Sequence, residues 1–172
     1  MAHHHDDYPA SDGALAPGVS LTGRQLGNDF SGQGGWSMYH GRTVPGFPKH
    51  PHRGFETITY VRDGYIDHAD SLGATARFGK GDTQWMTAGS GIMHQEMPEG
   101  NENGQMHGFQ LWANLPSEKK MTTPRYQDIN LSNIPVIEDD DGSKIKVIVG
   151  NYRGILGPVD GIAAEPEFLD IS

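Results

Sequence analysis

Apolar residues in this chain come in short runs, each cut off by glycine or proline, and never in a long helical stripe. With 24 Gly and 11 Pro in 172 residues, that punctuation argues for many short strands joined by turns. Glu56 to Arg62 reads ETITYVR, rich in β-branched and aromatic residues, and is the clearest strand. Asp63-Gly64 then signals a tight turn, with Tyr65 to Ala69 returning as the hairpin partner. Further strands are expected at Ala74 to Phe78, Thr83 to Thr87, Ile92 to Met97, Met106 to Leu115 and Lys144 to Val149, with Trp36 to Tyr39 as a first edge strand. Arg42 to Lys49 contains Pro45, Gly46 and Pro48 and reads as an irregular loop, because proline cannot donate to a ladder. Pro116 to Lys120 reads as a surface or helical turn, and Glu138 to Gly142 as a solvated turn. The fold class is all-β, a small antiparallel barrel or jelly roll.

Two of the expected strands carry, or lead from, a pair of donors in the pattern ligand-x-ligand: His50-Pro51-His52 and His94-Gln95-Glu96. Side chains at i and i+2 of a strand point the same way. Two such strands facing one another bring three imidazoles and one carboxylate to a common point. That nitrogen–oxygen set suits a borderline divalent transition metal. Four protein donors leave two positions of a six-coordinate ion open for water, dioxygen or a chelating substrate. Fe(II) is the best match, with Mn, Ni, Cu and Zn as alternatives. A lone histidine is more often an ordinary structural residue, but two spaced pairs reverse that balance. Glu56, four residues after His52, is a rival carboxylate, best read as an acceptor that orients an imidazole.

Other apparent motifs carry no chemistry. Gly89-Ser90-Gly91 is flanked by Ala88 and Ile92 and makes no nucleophile elbow. Gly79-Lys80-Gly81 lacks the rest of a phosphate loop, and Asp139 to Gly142 lacks the bidentate glutamate of a calcium loop. His40, His68 and His107 have no paired donor and read as structural. Trp85, Met86 and Phe109 read as core, or as residues of a pocket mouth. The His3 to His5 run belongs to a mobile polar tail with no role in a site.

Composition excludes several classes. Without cysteine there is no disulfide, thiolate metal site or cysteine nucleophile, and a cytoplasmic setting fits. A net charge of -9 disfavours direct binding to nucleic acid. No apolar run approaches the roughly 20 residues that span a bilayer.

At these residues the sequence resembles the pirin family of cupins. The matching stretches run from Phe47 to Thr57, from Gly81 to Pro98 and from His107 to Leu115, within Trp36 to Tyr126. The resemblance implies a cupin jelly-roll barrel holding one metal, usually iron, through His50, His52, His94 and Glu96. It also implies a two-barrel protein. The expected organisation is a mobile polar N-terminus (1–20), a metal-binding barrel (21–135) and the beginning of an incomplete second barrel (136–172). A homodimer or a protein partner covering the exposed side of the first barrel is expected in turn.

Two functions follow from that resemblance. In the first, the protein opens flavonol rings with dioxygen, as in quercetin 2,3-dioxygenases. The substrate's vicinal hydroxyl and carbonyl oxygens would then bind the open metal positions, with Glu96 as the base. In the second, it is a non-catalytic, redox-responsive module that acts through protein contacts, like a transcription cofactor.

Overall fold

The computed structural model describes residues 1–9, 18–25, 31–37, 47–162 and 166–172. Among them the strands are β1 (Ala2–Asp7), β2 (Phe47–His52), β3 (Phe55–Asp63), β4 (Tyr65–Asp70), β5 (Thr75–Phe78), β6 (Thr83–Thr87) and β7 (Ile92–Glu99). They continue with β8 (Gln105–Asn114), β9 (Arg125–Ile129), β10 (Val136–Glu138), β11 (Lys144–Val149), β12 (Asn151–Tyr152), β13 (Ile155–Leu156) and β14 (Phe168–Ile171). Among the described residues, helix is confined to single 3-10 turns such as Ser117–Lys119. No helix among the described residues is long and apolar enough to cross a membrane.

Two antiparallel sheets build the barrel. One has the strand order β1-β8-β3-β6-β9 and the other β2-β7-β4-β5. They face one another: Gln110 on β8 reaches Glu96 on β7, and Gln84 on β6 reaches His68 on β4. This is the all-β cupin barrel that the sequence leads one to expect. Strand β3 is buried on both faces, from Glu56 to Val61. Its Thr59 turns inward towards Glu96, while Ile58 and Tyr60 point outward into a cluster with Trp85, Ile148, Val149 and Val159. Residues of the segments 136–162 and 166–172 thus cover the outer face of the five-stranded sheet, with β10, β11 and β14 forming a small sheet of their own.

The hairpin expected between β3 and β4 does not form. Strand β3 pairs with β6 and β8, whereas β4 pairs with β5 and β7. Gly64, at φ +81°, is the corner at which the chain crosses between sheets, and a Cβ there would lie 2.7 Å from the Glu99 carbonyl oxygen. Phe47 to Lys49, expected in a loop, belong to β2 instead. That strand lies at the edge of its sheet and has a register irregularity between Phe47 and His50, where the missing N–H of Pro48 is tolerated. The loop residues 41–46, His40 and the Met38–Tyr39 part of the expected first strand lie outside the described residues; Trp36 and Ser37 are not in a strand.

The N-terminus also departs from expectation. Residues 2–7 were expected to be mobile, yet they pair antiparallel with β8 over Ala2↔Gln110 to Asp7↔Gln105. The ladder supplies backbone partners that a polar composition does not reveal, and alternation sends Asp6 inward, where it accepts a hydrogen bond from the Ser37 N–H at 3.1 Å. Strand β9, RYQDI, escaped the sequence reading because only Tyr126 and Ile129 mark it as apolar.

Candidate metal centre

Strands β2 and β7 pair with His50 directly opposite His94. Alternation along β2 places His52 on the same side as His50. The three rings converge: His50 Nε2 lies 3.0 Å from His52 Nε2 and 3.0 Å from His94 Nε2. The tautomer of His50 follows from its other nitrogen, which sits 2.8 Å from the Pro48 carbonyl oxygen. A carbonyl only accepts, so Nδ1 carries the proton and Nε2 presents a lone pair.

That lone pair can accept one hydrogen bond in the ring plane, yet two nitrogens approach it. A shared cation removes the conflict. Two ligands at right angles, each ~2.1 Å from an ion, lie ~3.0 Å apart, the spacing found here. The residues present therefore fit a divalent metal held through Nε2 atoms. Burial, and then the neighbouring imidazole of His50, lowers the His52 pKa to about 4. Burial, followed by His50, His52 and His68, lowers His94 to about 2. Both rings are neutral at ordinary pH, the state a metal requires.

Glu96 is buried next to this set and shares His94 with it. Its Oε2 accepts from Gln110 Nε2 at 3.0 Å, and Thr59 Oγ1 makes a long 3.5 Å contact with Oε1. Burial raises its pKa, opposed by the Gln110 hydrogen bond and by His68 and His50. Its carboxylate groups with His94 and His68, whose candidate donor atoms lie within 4.8 Å of one another. The three β2 and β7 imidazoles form the other such group among the described residues. His94 belongs to both.

His68 is the residue that sequence reasoning passed over as structural. It is buried on β4 opposite Glu96, donates from Nε2 to Asp70 at 2.9 Å and accepts at Nδ1 from Gln84 at 2.8 Å. Its ring stacks on Tyr126, with centroids 4.6 Å apart. The signal was present as His68-x-Asp70, the same alternation seen in the two ligand pairs. Glu56 is not gathered at all. Gly54, at φ +79°, turns the chain between β2 and β3, so Glu56 sits in the other sheet and accepts from Thr87 Oγ1 at 2.7 Å. His107 lies among His3, His5 and Phe109, away from the imidazole set. Trp85 and Met86 are core, and Phe109 is half-buried, packed on the same outer cluster as Trp85 and stacked on His3.

His50 and His52 open onto a cavity of about 530 Å³, bounded also by Phe47, Phe55, Glu96, Gln110 and Trp112, while His94 is buried behind them. Trp112 is 62% exposed, and its ring stands edge-on to His52 at 5.4 Å. The cavity therefore joins two of the three imidazoles to an aromatic rim, a combination suited to a planar ligand that also chelates.

The family model described as Pirin matches residues 25–113. A pirin-like protein of Caulobacter vibrioides is 48% identical over 74% of this chain and 46% of its own length. A Pseudomonas aeruginosa protein, named provisionally as a quercetin 2,3-dioxygenase, is 40% identical over 97% of this chain and 61% of its own. Among solved structures, a quercetin 2,3-dioxygenase from Acinetobacter baumannii is similar with a TM-score of 0.57 and 41% identity, covering 65% of this chain and 40% of that one. The chain thus spans about half the length of the relatives it matches.

Proposed function

This chain belongs to the pirin family, and on that premise we propose that it is a metal-dependent dioxygenase acting on flavonol-type substrates. His50, His52, His94 and Glu96 would hold one divalent metal, with Fe(II) the best match to a nitrogen-rich set with one carboxylate. The observation that carries the reading is the convergence of three imidazoles, with His50 Nε2 3.0 Å from both His52 Nε2 and His94 Nε2, at the wall of a cavity with an aromatic rim. The names of the Pseudomonas and Acinetobacter relatives support the substrate class.

When bound, the metal supplies Lewis acidity and an electronic path to dioxygen. The remaining work falls to the chain. Trp112 and Phe55, with ring centroids 4.8 Å apart, offer aromatic faces to a planar substrate at the mouth. Glu96 takes the proton of the substrate's ring hydroxyl. Burial makes its carboxylate a stronger base than a solvated one, which favours that transfer. Gln110 holds the carboxylate by one oxygen and leaves the other with only the long Thr59 contact.

The test is anaerobic loading with Fe(II), followed by a flavonol and then oxygen. Loss of the flavonol absorbance with release of carbon monoxide is the expected result. An iron-loaded protein that leaves the flavonol intact overturns the reaction.

A further inference from the structure

Two cavities meet at Glu96. The imidazole cavity is one. The second, about 310 Å³, lies beneath β1, roofed by Ala2, His4 and Asp6 and walled by Ile66 and Met106. It touches none of the three imidazoles of β2 and β7. Among the described residues, only Phe47, Glu96, Gln110 and Trp112 line both spaces. The partition is therefore made of side chains. Its polar links are hydrogen bonds from Trp112 Nε1 to Gln110 Oε1 at 3.3 Å and from Gln110 Nε2 to Glu96 Oε2 at 3.0 Å and to Thr59 Oγ1 at 3.2 Å. Side-chain partitions open by rotamer change, without moving a strand.

We propose that the chamber beneath β1 is the second half of the ligand site and receives the pendant aromatic ring of a planar polyphenol. The inference rests on the flavonol reading for the chelating end of that ligand. Its lining suits a ring: Phe47 and Trp112 supply aromatic surface, Ile66 apolar surface and Met106 a polarizable thioether. Its volume is at the small end of ligand sites and none of the three imidazoles lines it, so an occupant that also chelates has to extend into the imidazole cavity. The N-terminal strand then has a role in recognition, because removing β1 would take away the roof.

The experiment uses the protein loaded with Zn(II), which is redox-inert, and two probes with the same hydroxyl–carbonyl chelating pair. One is 3-hydroxyflavone; the other is 3-hydroxychromone, which lacks the pendant phenyl ring. Fluorescence titration should give about tenfold or tighter binding of 3-hydroxyflavone, the gain from burying one ring. Met106→Trp, which fills the chamber, should erase that preference and leave 3-hydroxychromone affinity within about twofold. Should Met106→Trp fail to fold, Ala2→Trp fills the same space from an exposed position on an edge strand. The proposal is overturned if a folded chamber-filling variant keeps the preference, if the wild type has none, or if neither probe binds the loaded protein. Repeating the assay with Fe(II) and oxygen separates the two readings. A phenyl preference without carbon monoxide release leaves the chamber standing and removes the dioxygenase. Carbon monoxide release without a phenyl preference does the reverse.

Discussion

A single hydrogen bond, from His50 Nδ1 to the Pro48 carbonyl, decides which ring nitrogen faces the cavity. With Nε2 so committed, His94 becomes the pivotal donor, since it is shared by both clusters and fully buried. Loss of a residue outside the ligand set typically weakens a metal site 10- to 100-fold, so His94→Ala should lower affinity by at least about 100-fold. Elemental analysis after dialysis checks this, and an unchanged metal content refutes the ligand assignment. The same burial makes the metal-free protein sensitive to acid. His52 and His94 have folded values of about 4 and about 2, below the ordinary 6.5. The unfolded chain therefore binds more protons between those values, so their contribution to stability is complete above ~pH 6.5 and declines as pH falls. Glu96 acts in the opposite sense, because its raised value lets the folded state bind the proton first. The histidine part is isolated with His52→Asn: urea midpoints of the chelator-treated proteins at ~pH 7.5 and ~pH 5 should fall further in wild type than in the variant. Equal falls would show that His52 does not contribute.

At the scale of the elements, the site depends on two neighbouring strands of one sheet and on the turns that feed them. Strand β2 tolerates Pro48 and Pro51 because it is an edge strand, with β7 as its neighbour on the other side. The turn between β6 and β7 is tighter. Gly89 has φ +48°, and a Cβ there would lie 2.1 Å from the backbone oxygen of Thr122. Gly89→Ala should therefore cost at least about 2 kcal/mol, combining left-handed strain with a clash against backbone that cannot rotate away. Urea denaturation reads this directly, and an unchanged midpoint would refute the close approach. Donor-x-donor alternation was legible in His50-Pro51-His52 and His94-Gln95-Glu96 because a strand converts a spacing of two into a shared face. The same rule applied to His68-x-Asp70 went unread, because its importance comes from β4 lying beside β7, with His68 opposite Glu96 and Asp70 opposite His94.

For the whole molecule, the small sheet of β10, β11 and β14 is fastened to the barrel by more than apolar packing. Tyr60 on β3 donates to Asp170 on β14 at 2.6 Å, and Lys146 on β11 donates to both, at 3.1 Å and 3.0 Å. Tyr60→Phe removes the link to the barrel while leaving Lys146 and Asp170 paired. It should cost about 1 kcal/mol, with faster amide exchange concentrated in β11 and β14. Exchange that rises evenly over all strands, or not at all, would show that the link does not fasten this sheet.

The local code settled what is local: short strands, glycine corners, and two pairs of donors each aimed to one side. These follow from backbone sterics and the two-residue period of a strand, which need no knowledge of neighbours. Strand partners had to come from the tertiary structure. It separated β3 from β4, recruited residues 2–7 to β8, and set Glu56 in the sheet opposite His52. It also set Glu96 beside His68 and Gln110, sharing His94 with the β2 imidazoles. The reason is physical: which strands share a ladder is decided by closing two sheets over one core, and that closure is a property of the whole chain.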